Sequence, residues 1–210
     1  MFRDRVDAGI RLGERLAAAG VVGDRPIVLG LPRGGVPVAA GVARTLACPL
    51  DVFVVRKLGV PGHEELAMGA IASGGIVVRN DDIIRQLRID EASLRRVEEA
   101  EAAELRRRES AYRGGSEPVA LEGRDVVIVD DGIATGASMR AAVAAVLAAG
   151  PRSVVVAVPV ASRQAVDALA IDADAVVALG VPEPFGAVGY WYEDFDQTSD
   201  DEVTELLADR

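Results

Sequence analysis

Val126-Val-Ile-Val-Asp-Asp-Gly-Ile-Ala-Thr-Gly-Ala-Ser138 is the stretch on which the reading of this chain turns. Its first four residues are apolar and β-branched, the composition of a short strand buried on both faces. Two adjacent carboxylates, Asp130 and Asp131, end the strand, and a turn of small residues follows. Residues 139–149 then read as a helix. A buried strand thus delivers two acids and a nest of N–H and hydroxyl donors to one point at a helix N-terminus. Such a site suits a sugar phosphate. Carboxylates accept hydrogen bonds from ribose hydroxyls, and the turn Thr135-Gly136-Ala137-Ser138 can wrap a phosphate at the positive end of the helix dipole.

Outward from this motif the chain alternates strands and helices. On its N-terminal side, residues 3–19 have apolar positions near helical spacing, with Gly20 as a stop. Residues 27–29 form a short buried strand, Pro32-Arg33-Gly34-Gly35 a turn, and residues 36–46 a small-residue helix. Residues 50–55 form a second strand that ends at Arg56-Lys57. Strand, helix and strand at this spacing make a right-handed parallel βαβ unit. On the C-terminal side, residues 153–159, 162–170 and 175–179 add a strand, a helix and a strand. The fold class expected is α/β: a Rossmann-like parallel sheet of about five strands flanked by helices, in one domain over residues 1–210 with its core at about 20–180.

Three segments stand outside that frame. Residues 58–75 are rich in glycine and hold the only histidine, His63, so a mobile lid loop is expected there, with a hairpin around 68–71 and 75–78. Residues 90–112 read as a charged helix with favourable Glu91/Arg95 and Glu104/Arg108 pairs. Residues 181–210 make a small hood and tail, Pro/Gly-rich and aromatic, closing on a helix over 200–208 capped by Ser199.

Composition narrows the function classes. The chain of 210 residues carries 33 acids against 23 bases, a net charge of −10. That disfavours a nucleic-acid binder, which needs a basic face, so an anionic ligand must be held by a local nest. One cysteine, Cys48, allows no internal disulfide and fits a reducing cytoplasm. The charged start fits no signal peptide, and no apolar run reaches membrane-spanning length. No metal-ligand spacing is present, and His63 reads as an exposed loop residue. The aromatic run at 190–192 is consistent with either a core plug or a subunit contact.

In an open parallel sheet ligands bind beyond the C-terminal strand ends. Arg33-Gly34-Gly35, Arg56-Lys57, Asp130-Asp131 with its turn, and the 181–192 segment all fall there. With these residues in place, the chain resembles the type I phosphoribosyltransferases. The run VVIVDDGIATGAS resembles their signature for 5-phosphoribosyl diphosphate (PRPP), Pro32-Arg33-Gly34-Gly35 their diphosphate loop, and Arg56-Lys57 the basic pair of the adenine and orotate enzymes. The resemblance implies a transferase that moves a phosphoribosyl group from PRPP to a small aromatic base and releases pyrophosphate. By the same resemblance Asp130 and Asp131 bind the ribose hydroxyls, Thr135, Gly136, Ala137 and Ser138 hold the 5′-phosphate, and Gly132 and Ala134 are further substrate-binding positions. Arg33, Gly34, Gly35, Arg56 and Lys57 face the diphosphate, with Arg33 and Lys57 as the catalytic candidates. Mg²⁺ rides on PRPP, Phe185 stacks on the base, and the protein is a homodimer. Two departures stand out. Ala134 occupies the place where hypoxanthine and guanine enzymes carry a base-assisting Asp, and the Phe185 segment has one extra residue. The alternative is a regulatory PRPP- or nucleotide-binding protein on the same fold.

Overall fold

The computed structural model describes residues 1–208, except for the side chains of Glu64 and Glu65. Helix α1 (Arg5–Ala19) is started by Asp4, whose carboxylate accepts from the Asp7 N–H at 2.7 Å, and stopped by Gly20 in the left-handed region. It is followed by β1 (Pro26–Gly30), α2 (Gly35–Leu46) and β2 (Leu50–Val52). Next come β3 (Val55–Val60), β4 (His63–Ala72), β5 (Ile76–Arg79), α3 (Asp81–Gln86) and α4 (Glu91–Arg113). The second half comprises β6 (Asp125–Val129), α5 (Ala137–Ala148), β7 (Ser153–Val160), α6 (Arg163–Leu169), β8 (Ala175–Gly180) and α7 (Asp200–Ala208).

The main sheet is parallel with five strands in the order β2-β1-β6-β7-β8. Each strand alternates its side chains between two apolar layers. Val28, Val52, Val127 and Val155 join one core with α1, α2 and α7, whereas Ile27, Leu29, Ile128 and Val156 join the other with α5 and α6. Both faces are covered, as a parallel sheet requires. The chain reverses its direction of travel across the sheet between β1 and β6. That is the switch point where a crevice opens at the strand ends.

Two expectations are corrected. The strand expected over 50–55 is broken: β2 leaves the main sheet after Val52, and Val54 hydrogen-bonds to Ser73 instead. Arg56 and Lys57 therefore lie within β3, opposite Ile71 and Ala70, in a separate antiparallel sheet β3-β4-β5. Likewise, residues 58–75 are not an irregular lid loop. They are a hairpin whose inner residues Leu58, Val60 and Met68 are fully or almost fully buried. Its glycines have steric reasons. Gly62 turns the hairpin at positive φ, and a side chain on Gly69 would collide with the Val78 carbonyl of the neighbouring strand. The expected pairing of 68–71 with 75–78 is present as β4 with β5. This small sheet packs on α4 and α5. The charged helix α4 is thus not purely a solvated face: Leu94, Leu105, Tyr112 and Arg113 are buried.

Candidate active site

β1 and β6 run side by side with Gly30 opposite Val129, so their C-terminal loops leave the sheet together. The Leu31 N–H donates to the Val129 carbonyl at 2.9 Å and extends the pairing into the loop. Gly34 and Gly35 then pass directly over the two acids. A methyl at Gly34 would strike Asp131 Oδ2, and one at Gly35 would lie 2.8 Å from the Val129 oxygen and 3.0 Å from Asp130 Oδ1. Only glycine lets this loop approach so closely. The Pro32–Arg33 peptide is cis. Gly35 N–H is occupied by the Leu31 carbonyl at 2.9 Å, which leaves the N–H groups of Arg33 and Gly34 as donors for a ligand.

After the acids the spacer is pinned down. Ile133 pairs with Ala161, and Ser162 Oγ donates to the Ala134 carbonyl at 2.6 Å. Gly136 turns at positive φ into α5. The backbone N–H groups of residues 135–138 donate to no acceptor among the described residues, and the Thr135 and Ser138 side chains are exposed. Four open donors at a helix start form a concave cradle for an anion.

Burial, followed by the neighbouring Asp131 charge, raises the pKa of Asp130, whose Oδ1 also accepts the Asp131 N–H at 2.9 Å. Burial also raises that of Asp131, but the Arg5 guanidinium opposes the rise. Arg5 Nε donates to Asp131 Oδ2 at 2.9 Å, with the two side chains 12% and 16% exposed. The same guanidinium lies over the Phe195 ring, 3.9 Å from its centroid, and its Nη1 donates to the Asp196 carbonyl at 2.6 Å. Tyr192 donates its hydroxyl to the Asp131 carbonyl at 2.6 Å and packs against Phe2 and Phe195.

Not every expected residue converges. The Arg33 side chain points to Asp200, 3.9 Å away, in a polar cavity of about 280 Å³ shared with Arg107, Arg108 and Tyr112. Lys57 is exposed and lines other cavities, one of about 700 Å³ against α5 that includes Ala137 and Arg140. Arg56 is ion-paired to Glu101 of α4 at 2.6 Å. The two catalytic candidates therefore open onto different cavities. The segment carrying Phe185 does reach the motif. Val188 covers Gly132, where a methyl would lie 2.5 Å from its Cγ1, and the Phe185 carbonyl accepts from Trp191 Nε1 at 3.2 Å. Of the aromatic run, Tyr192 is a core plug and Tyr190 is exposed.

Arg5, Tyr192 and Phe195 are the site neighbours that the sequence did not disclose. Arg5 carries no local signal, because it is one more polar residue of an amphipathic helix, 126 positions from its partner. Tyr192 was visible only as a member of an aromatic run.

The family model described as phosphoribosyl transferase domain matches residues 8–188. Two Mycobacterium tuberculosis proteins, Rv0571c and MT0597, provisionally named phosphoribosyl transferases, are each 51% identical over 207 residues. The match takes in 99% of this chain but 46% of those proteins, so the chain spans about half the length of the curated relatives it matches. The crystal structure of TT1426 from Thermus thermophilus is 49% identical and superposes with a TM-score of 0.91, over 100% of this chain and 98% of that one. With a matched family domain that spans the acid pair, the diphosphate-type loop and the anion cradle, the chain belongs to the phosphoribosyl transferase domain family.

Proposed function

We propose that the protein is a PRPP-dependent phosphoribosyltransferase, a pentosyl-transferring enzyme that joins the phosphoribosyl group to a nitrogen of a small aromatic base and releases pyrophosphate. The observation that carries this reading is the contact of Gly34 and Gly35 with Asp131 and Asp130, beside the open N–H cradle at 135–138. One ligand with a 5′-phosphate, two ribose hydroxyls and a 1′-diphosphate matches these three stations in order.

In this reading the cradle and the α5 dipole hold the 5′-phosphate. Asp130 and Asp131 take the ribose hydroxyls, and the N–H groups of Arg33 and Gly34 face the diphosphate. As the bond from C1′ to the diphosphate oxygen breaks, positive charge grows on the ribose and negative charge on the leaving group. Fixed donors aimed at the leaving group lower that barrier. The acceptor nitrogen then bonds to C1′ and sheds its proton. Among the described residues no three His, Cys, Asp or Glu side chains could hold a metal between them. In this reading Mg²⁺ would enter bound to PRPP and would supply charge neutralisation of the diphosphate. In this reading Phe185, three residues before the Val188 that covers Gly132, borders the base.

A pyrophosphate-release assay with PRPP, Mg²⁺ and a panel of nucleobases tests the proposal. Turnover with at least one base is expected, with Asp130→Asn and Asp131→Asn raising KM for PRPP and Lys57→Ala lowering kcat. One observation favours the second reading, a regulatory protein that binds PRPP or a nucleotide. Arg33 is turned to Asp200, and Lys57 lines a different cavity, so the leaving-group cations are not gathered. Tight PRPP binding without turnover across the panel would decide for it.

A further inference from the structure

We propose that Arg5 is a positioning residue of the donor site: it fixes the Asp131 carboxylate and ties the C-terminal segment at 192–196 to the ribose acids. The inference rests on the PRPP reading of the acid pair. Among the described residues Arg5 is the one cation ion-paired to either acid. Its guanidinium is engaged on three sides, by Asp131 Oδ2, by the Phe195 ring and by the Asp196 carbonyl. A planar guanidinium held in three directions has one orientation, and its Nε–H anchors the Oδ2 oxygen of Asp131. The Tyr192 hydroxyl fixes the same residue from its backbone side. A lysine in place of Arg5 would keep the charge and lose the stack on Phe195 and the simultaneous bond to the Asp196 carbonyl.

The pairing answers a chemical need. A carboxyl offers both oxygens as strong, charge-assisted acceptors to ribose hydroxyls when it is ionised, and here burial acts against ionisation. The titratable and charged groups that face Asp131 are Asp130 from its own loop, Arg5 from α1 and the Tyr192 phenol from the C-terminal segment; the loop over it contributes only Gly34. Of these, Arg5 alone favours the charged form. Protonation of Asp131 would turn one of its oxygens into a donor and weaken the other as an acceptor, so PRPP affinity falls as the pH drops through its pKa. Without Arg5 that pKa rises, and the fall begins at a higher pH.

The geometry also couples two halves of the site. Residues 192–196 continue from the Val188 turn that covers Gly132, so this segment is tied to Asp131 through the Arg5 guanidinium and the Tyr192 hydroxyl. An acceptor that orders this segment would tighten PRPP through Arg5.

The test compares wild type, Arg5→Lys and Arg5→Met. The Asp131 carboxyl is titrated by NMR in the ligand-free protein. PRPP·Mg affinity is measured by calorimetry across pH, along with KM and kcat. Arg5→Met should move the Asp131 midpoint upward, weaken PRPP at least tenfold and shift the acid side of the affinity profile to higher pH. Arg5→Lys should restore the midpoint but leave KM for PRPP several-fold high with kcat near wild type. An unchanged Asp131 titration in folded Arg5→Met, or in Arg5→Ala if the Met variant does not fold, would overturn the inference. So would an affinity loss that follows melting temperature in both variants with no change in pH profile. Wild type that binds no PRPP would instead overturn the donor reading itself, while the titration still shows whether Arg5 governs that carboxyl.

Discussion

Adjacent carboxylates repel, and at a strand end with one partly covered face they cannot both hold a full charge cheaply. The protein answers asymmetrically: Asp131 receives Arg5, and among the described residues Asp130 receives only the backbone N–H that follows it. Glycine is the other decisive residue type here. Gly34→Ala should destabilise the fold by about 1–3 kcal/mol through the clash with Asp131, and it should reduce PRPP affinity by more than Gly35→Ala reduces it, since the Gly35 clash includes backbone that already fixes the loop. Urea melts and calorimetry read the two effects. The identities of Asp130, Asp131 and the 135–138 turn were plain from the sequence because the motif is local. Arg5 was not, because its role depends on a partner brought near only by the packing of α1.

At the scale of elements, α1 reaches Asp131 because it lies tight on α2. A methyl on Gly9 would collide with the Val38 carbonyl, and one on Gly41 would lie 2.8 Å from the Gly9 carbonyl carbon. Small residues let two helices approach this closely. Helix α4 is held differently. Arg113 on α4 forms an ion pair with Asp51 on β2, both side chains at most 2% exposed, and donates to the Val52 carbonyl at 2.6 Å. Arg113→Met would leave Asp51 buried without this cation and should cost about 3–5 kcal/mol of stability, measured by chemical denaturation. It also loosens the small sheet, which packs on α4. Strand and helix positions in the main sheet were legible from apolar runs and helical spacing. Of the second sheet only the pairing of β4 with β5 was legible; β3 was not, because the glycines around it look like flexibility in sequence and serve close strand contact in the fold.

Over the whole molecule, the N-terminal residues 2 and 3 meet the 191–194 segment beside the site. Phe2 N–H donates to the Trp191 carbonyl at 2.8 Å, Glu193 N–H to the Phe2 carbonyl at 2.8 Å, and Asp194 N–H to the Arg3 carbonyl at 2.9 Å. Phe2 adds its ring against Tyr192, 5.4 Å between centroids. Phe2→Ala should cost about 3 kcal/mol and weaken PRPP binding several-fold although Phe2 touches neither acid; a melt and a binding isotherm on the same protein check the pair of effects. The parallel α/β frame, the acid pair, the small-residue turn at 135–138 and the Gly34-Gly35 loop were all readable along the chain, because each is written in contiguous residues whose periodicity and backbone demands are local. Only the tertiary structure decided where Arg33 and Lys57 point, that the glycine-rich stretch is a hairpin, and that Arg5 and Tyr192 grip Asp131. Those outcomes depend on which distant surfaces pack together, and no spacing along the chain encodes a contact 126 residues long.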